Sequence, residues 1–181
     1  YRHIMGLDVS RGMVGEARRI GKILEFSVSF VQGDATALTF EDNLFDGAIF
    51  GFNGLMQIPG REARLRALKE TRRVVRSGGA FVFTTHDRHS PRFKKFWRAE
   101  EARWRKGTQQ KELLEFGDRC EETDLGRLFI HVPTPGEVRE DLQEAGWKCE
   151  WDKPRSAICS ETLPTREFSD ECRFWLARNP G

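Results

Sequence analysis

Two carboxylates stand where a nucleoside could be held. Asp8 closes the apolar run Ile4, Met5, Gly6, Leu7, and Asp34 follows a second run, Val28 to Val31, across Gly33. If both runs are parallel strands, both carboxylates project beyond their carboxyl ends, where ligands of open α/β sheets bind. A carboxylate placed there accepts two hydrogen bonds from a ribose diol, and one beside it accepts from an adenine amino group. The competing reading is that both are turn or capping residues, a common use of aspartate. A second group, His86 with Asp87, follows the run Ala80 to Thr85. An imidazole at that point can take a proton from a nucleophile while the neighbouring carboxylate orients it. The plainer alternative is a loop hydrogen-bond set.

The elements that would position these groups are legible as periodicities. Ser10 is a good N-cap, and Met13, Ala17, Ile20 and Leu24 share one helical face, so residues 4–34 read as a β-α-β unit. Asp46 to Phe52 reads as a buried strand, preceded by a loop anchored on Phe40 and Phe45. Arg61 to Val75 reads as a helix with Leu65, Leu68, Val74 and Val75 inside, Arg61, Arg64 and Arg66 solvated, and a stop at Gly78-Gly79. From residue 90 to about 118 arginines and lysines alternate with aromatics, and Phe93, Phe96, Trp97 and Trp104 share a helical face. This is an inserted amphipathic helix, either a lid with a solvated basic outer face or an RNA-contacting surface. Phe129 to Val132 reads as a short strand outside the main sheet, and Thr134-Pro135 opens a helix with Val138, Leu142 and Ala145 that stops at Gly146. Trp147 to Trp151 and Cys172 to Ala177 are the last strands, joined by residues 152–171, and Asn179 to Gly181 reads as a frayed tail. His131 is a second histidine within reach of the same end of the sheet.

Residues 6–19, GLDVSRGMVGEARR, residues 33–52, GDATALTFEDNLFDGAIFGF, and ExxRVVRSGG from Glu70 to Gly79 stand in fixed order over the first half of the chain. Together they resemble the class I S-adenosylmethionine-dependent methyltransferases of the methyltransferase type 11 kind. The resemblance implies a Rossmann-like, doubly wound, mostly parallel α/β sheet with an antiparallel carboxyl-terminal edge, in one domain over 1–181. It implies S-adenosylmethionine as cofactor, with Asp8 and the adjoining Val9 at the ribose, and Asp34 and the Ala35 backbone nitrogen at the adenine. Phe52 and Asn53 fall near the transferring methyl group in the family. Asn53 then bonds the cofactor's methionine end or a substrate oxygen, unless Asn53-Gly54 is simply a turn, and Phe52 packs on adenine or substrate, unless it is core. Glu70 and Arg73 resemble the family's structural pair. The implied reaction is methyl transfer to an O, N or C nucleophile of a small molecule. RNA, including tRNA, is the alternative substrate. The family also places a strand and a glycine-rich loop ahead of the Asp8 strand, whereas this sequence opens at Tyr1. The expectation is an amino-terminally incomplete domain, or a non-catalytic interaction subunit that has lost cofactor binding.

Composition narrows the class. A chain of 181 residues with 38% hydrophobic content supports one domain with a real core. Thirty Lys and Arg against 28 Asp and Glu leave +2, too little to argue for nucleic acid alone. Cys120, Cys149, Cys159 and Cys172 show neither CxxC nor zinc spacing, so no metal is expected and the thiols read as reduced core fillers of a cytoplasmic protein. No apolar run approaches the roughly 20 residues of a membrane span.

Overall fold

The computed structural model describes residues 3–124, 126–169 and 171–181, with side chains left out at 166–168. Strand β1 (Ile4–Asp8), helix α1 (Arg11–Ile23) and strand β2 (Val28–Gln32) form the expected unit. The strands pair in parallel, Ile4 opposite Val28 and Asp8 opposite Gln32. The Ser10 hydroxyl caps α1 by accepting from the Met13 N–H at 3.3 Å, and Arg18 ties the helix to β2 through the Phe30 carbonyl, 2.6 Å from its Nη2. The buried face of α1 differs from the face shared by Met13, Ala17, Ile20 and Leu24. Val14 and Gly21 turn inward, while Met13, Ile20 and Leu24 are exposed. Periodicity showed that the helix has an apolar stripe but not which surface covers it.

The second sheet is built from β3 (Phe45–Phe50), β4 (Val75–Thr85), β7 (Lys148–Pro154) and β8 (Arg173–Arg178) in the order β3-β4-β8-β7. β3 and β4 are parallel, joined by helix α2 (Arg61–Val74), and β8 runs antiparallel to both β4 and β7. Among the described residues β1 and β3 each keep one edge without a ladder partner. Ile4, Met5 and Ile49 on these strands are exposed, Ile49 to 79%, although such apolar parallel strands are ordinarily covered on both faces.

The core lies between this sheet and helices α2 and α4 (Pro135–Glu144). Phe81 packs on Trp147 at 5.1 Å and Phe83 stacks on Trp175 at 5.9 Å. Both indoles satisfy their N–H groups, Trp147 on the Leu68 carbonyl and Trp175 on the Thr85 hydroxyl. Glu70 and Arg73 form a bidentate pair at 2.8 and 2.9 Å. Arg73 also donates to the carbonyls of Leu38 and Phe40, and so clamps the loop that leads into β3. Thr134 and Glu137 complete a reciprocal capping box at the start of α4.

Several expectations are corrected. Phe52 lies beyond β3, in a turn. Helix α2 passes directly into β4 at Val75, and Gly78-Gly79 falls within that strand, at an irregularity in its pairing with β3. Arg64 is buried, because Glu115 reaches it at 2.7 Å. Asn179 is buried rather than frayed, donating from Nδ2 to the Val75 carbonyl at 2.6 Å. Cys149 packs on the core, but Cys159 is exposed.

The insert extends past residue 118. Helix α3 (Lys94–Lys106) is followed by the antiparallel hairpin β5 (Asp118–Thr123) and β6 (Gly126–His131), which absorbs the strand expected at 129–132. Helix α5 (Leu163–Phe168) lies in the 152–171 connection. Trp97 is 7% exposed in a cluster with Met56 and Val132, and Phe93 and Phe96 pack against it. Trp97→Ala should therefore lower unfolding stability by about 3–5 kcal/mol, whereas Arg98→Ala, on the exposed side of α3, should change it by under about 0.5 kcal/mol. Urea titrations of the two variants check this.

Candidate functional site

Asp8 ends β1 and Asp34 lies two residues beyond the end of the adjacent parallel β2, and each carboxylate is half engaged. Asp8 Oδ1 accepts the Ser10 N–H at 2.7 Å, and Asp34 Oδ1 accepts both the N–H and the hydroxyl of Thr36 at 2.8 Å. The Thr36 N–H, helped by the Thr36 hydroxyl, holds the Asp34 carboxyl below its ordinary value. Among the described residues the Oδ2 atom of each has no hydrogen-bond partner. The two strand ends are laced together, since Gly33 N–H donates to the Asp8 carbonyl at 3.0 Å and the Gln32 amide donates to the Val9 carbonyl at 3.2 Å. Val9 is exposed and Ala35 packs on the core.

At the ends of β3 and β4 the backbone is strained. Phe52 and Asn53 are consecutive non-glycine residues in the left-handed region, with φ of 51° and 56°, a conformation expensive for an aromatic residue. Phe52 is 97% exposed. Asn53 is tied to β4 by its N–H on the Thr84 hydroxyl at 3.2 Å, and its Nδ2 lies 3.4 Å from His86 Nε2. Its Oδ1 is buried and has no protein partner among the described residues. The other ring nitrogen of His86, Nδ1, faces the Glu171 carbonyl at 3.2 Å, and the His86 N–H meets Met56 Sδ.

Asp87 does not orient His86. Its carboxylate accepts the His89 N–H at 2.8 Å and pairs with Arg173 of β8 at 3.3 Å. The adjacent aspartate is engaged by its own turn and by a guanidinium from a distant strand. The residues that do hold the imidazole, Asn53 and Glu171, lie 33 and 85 positions away, and nothing local in the sequence marks the Glu171 carbonyl.

His131 likewise takes another role. It is buried in the insert, with Nδ1 2.8 Å from Asp118 Oδ1, while Asp118 Oδ2 accepts the N–H groups of Leu114 and Glu115. Burial opposes the Asp118 charge, but His131 and the two N–H groups outweigh it and the carboxyl is held below its ordinary value. Glu115, Asp118 and His131 bring ligand-type atoms within 4.8 Å of one another. Arg64 already occupies Glu115, and His131 and two N–H groups occupy Asp118, so the cluster is a closed ionic knot. Arg88, buried next to it, donates to the carbonyls of Phe116 and Val132 and to Glu137, joining the insert to the start of α4. Trp97 is buried, and Phe93 and Phe96 are partly buried against its cluster. No described helix is long and apolar enough to cross a membrane.

Comparison with known proteins decides the fold. Residues 1–79 match the family described as "Methyltransferase domain". A S-adenosylmethionine-dependent methyltransferase of Methanosarcina mazei superposes with a TM-score of 0.75 at 18% identity, over 98% of this chain and 82% of that one. The fold is that of the class I S-adenosylmethionine-dependent methyltransferases. The cyclase SpnF shares it at a TM-score of 0.65 and 19% identity, over 98% of this chain and 67% of its own. In sequence, the demethylmenaquinone methyltransferase of Staphylococcus saprophyticus is 36% identical over 96 residues, 52% of this chain. The chain spans 39% of that relative's length. The methyltransferase fold thus accounts for the sheet order, and the matched segment contains Asp8, Asp34 and Asn53 but stops short of His86.

The knot around Asp118 gives the fold a defined acid response. Because the folded carboxyl lies below its unfolded value of about 3.9, its stabilisation is complete above that pH and is lost as pH falls through the folded value. Asp118→Asn should cost about 1–3 kcal/mol at pH 7 and flatten the acid limb, as read by urea midpoints from pH 7 to 2.

Proposed function

We propose that this chain belongs to an enzyme that transfers the methyl group of S-adenosylmethionine to a nucleophile of a small molecule. The observation that carries the reading is the pair of carboxylates at adjacent parallel strand ends, each anchored by one oxygen and open at the other. That acceptor set fits the nucleoside. Asp8 Oδ2 accepts from the ribose hydroxyls and Asp34 Oδ2 from the adenine amino group. Val9 and the Ala35 N–H border the ring, and exposed Phe52 offers it an aromatic face. When bound, the sulfonium supplies an electrophilic methyl group. The chain's own work is to fix the nucleoside, align the acceptor and take its proton at His86 Nε2, and alignment contributes most of the acceleration.

A small-molecule acceptor is favoured over RNA because the insert spends its aromatics on its own core, and because the sequence relatives are named for demethylmenaquinone. Four free thiols suit a cytoplasmic setting. The free edges of β1 and β3 and the exposed stripe of α1 support a second reading, an interaction subunit that receives a strand from a partner. Under the first reading those edges take one further parallel strand of the same polypeptide.

Calorimetry with S-adenosylhomocysteine, on this chain and on one extended by such a strand, tests the assignment. Asp8→Ala and Asp34→Ala should each weaken binding by about 1–3 kcal/mol, since each removes charge-assisted hydrogen bonds. Unchanged affinity in both variants would remove the assignment.

A further inference from the structure

The partners of His86 define which proton it can move. The Glu171 carbonyl can only accept, so Nδ1, 3.2 Å away, carries the ring hydrogen. Asn53 Nδ2 can only donate, so Nε2 presents its lone pair. At 3.4 Å this contact is long, and a tighter-binding hydroxyl displaces it easily. Among the described residues the buried Asn53 Oδ1 has no partner. A half-turn of the amide exchanges Nδ2 for Oδ1, and Oδ1 then accepts from a protonated Nε2. The imidazole therefore keeps a partner on both nitrogens before and after it gains a proton. A histidine that served only to fill its loop would have no need of an unused buried acceptor beside it.

We propose, building on the methyl-transfer reading, that the acceptor is a phenol or enol whose hydroxyl proton passes to His86 Nε2, with Asn53 as the positioning residue that supports both forms of the ring. An amine with a free electron pair needs no base before attack, and an aliphatic alcohol holds its proton nearly as tightly as water, with a pKa of about 15.7. A phenol, at about 10, lies within reach of an imidazole. The O–H bond breaks, the proton goes to Nε2 and the electron pair stays on oxygen, shared with the ring or double bond. That pair forms the bond to the methyl carbon as the carbon–sulfur bond breaks, and the sulfur keeps the electrons.

The test uses 4-nitrophenol, whose ionisation is read from its visible absorbance, at a pH where the free probe is half ionised. Saturating protein should raise the ratio of nitrophenolate to nitrophenol about tenfold, equivalent to one pKa unit. His86→Gln should abolish the rise. Asn53→Gly, which suits the left-handed backbone at φ 56°, should reduce it, and Asn53→Asp, which still accepts from a protonated ring, should restore it. No rise with the unaltered protein, or an equal rise with His86→Gln, overturns the proposal. S-adenosylhomocysteine calorimetry on the same samples separates the two readings. If the rise is seen but S-adenosylhomocysteine binds neither this chain nor the one extended by the further strand, the methyl-transfer reading fails and the acceptor site stands.

Discussion

Parallel pairing is the constraint on which the site depends. Two parallel neighbours cannot be joined by a tight turn, so the chain must cross over the sheet and return, and the carboxyl ends of the pair then lie together. In β1 and β2 this brings Asp8 and Asp34 to adjacent strand ends, and in β3 and β4 it brings Asn53 within reach of His86. Local capping then sets what each group can offer. The backbone of Ser10 and the N–H and hydroxyl of Thr36 each occupy one carboxylate oxygen, fixing the side chain while its second oxygen has no hydrogen-bond partner among the described residues.

The insert is bound into this arrangement through a shared residue. Met56 accepts the His86 N–H through its sulfur and packs in the cluster with Trp97 and Val132. The insert and the imidazole thus share one flexible side chain as a contact. Buried charge makes the insert's other attachments. Arg64 meets Glu115, and Arg88 meets Glu137 and two carbonyls. Buried guanidinium groups are costly unless fully partnered, so these contacts specify one seating of the insert.

Features legible in the sequence were those settled within a few residues. The Ser10 cap, the Glu70–Arg73 pair, the helix start at Thr134-Pro135 and the two carboxylates at or just past strand ends all rest on local geometry. What periodicity could not supply was the identity of distant partners. Asp87 belongs to Arg173 across 86 positions, Asn179 belongs to Val75 across 104, and Arg64, on a face that reads as solvated, is claimed by Glu115. The stripe on α1 shows the same limit, because amphipathicity records that a surface must be covered and not by what.

The most direct measurement is a crystal structure with S-adenosylhomocysteine of a protein that also supplies a strand between β1 and β3. The account predicts the ribose hydroxyls at hydrogen-bonding distance, about 2.6–3.2 Å, from the free oxygen of Asp8, with the adenine amino group against Asp34. A nucleoside bound elsewhere, with both carboxylates turned to solvent, would contradict it.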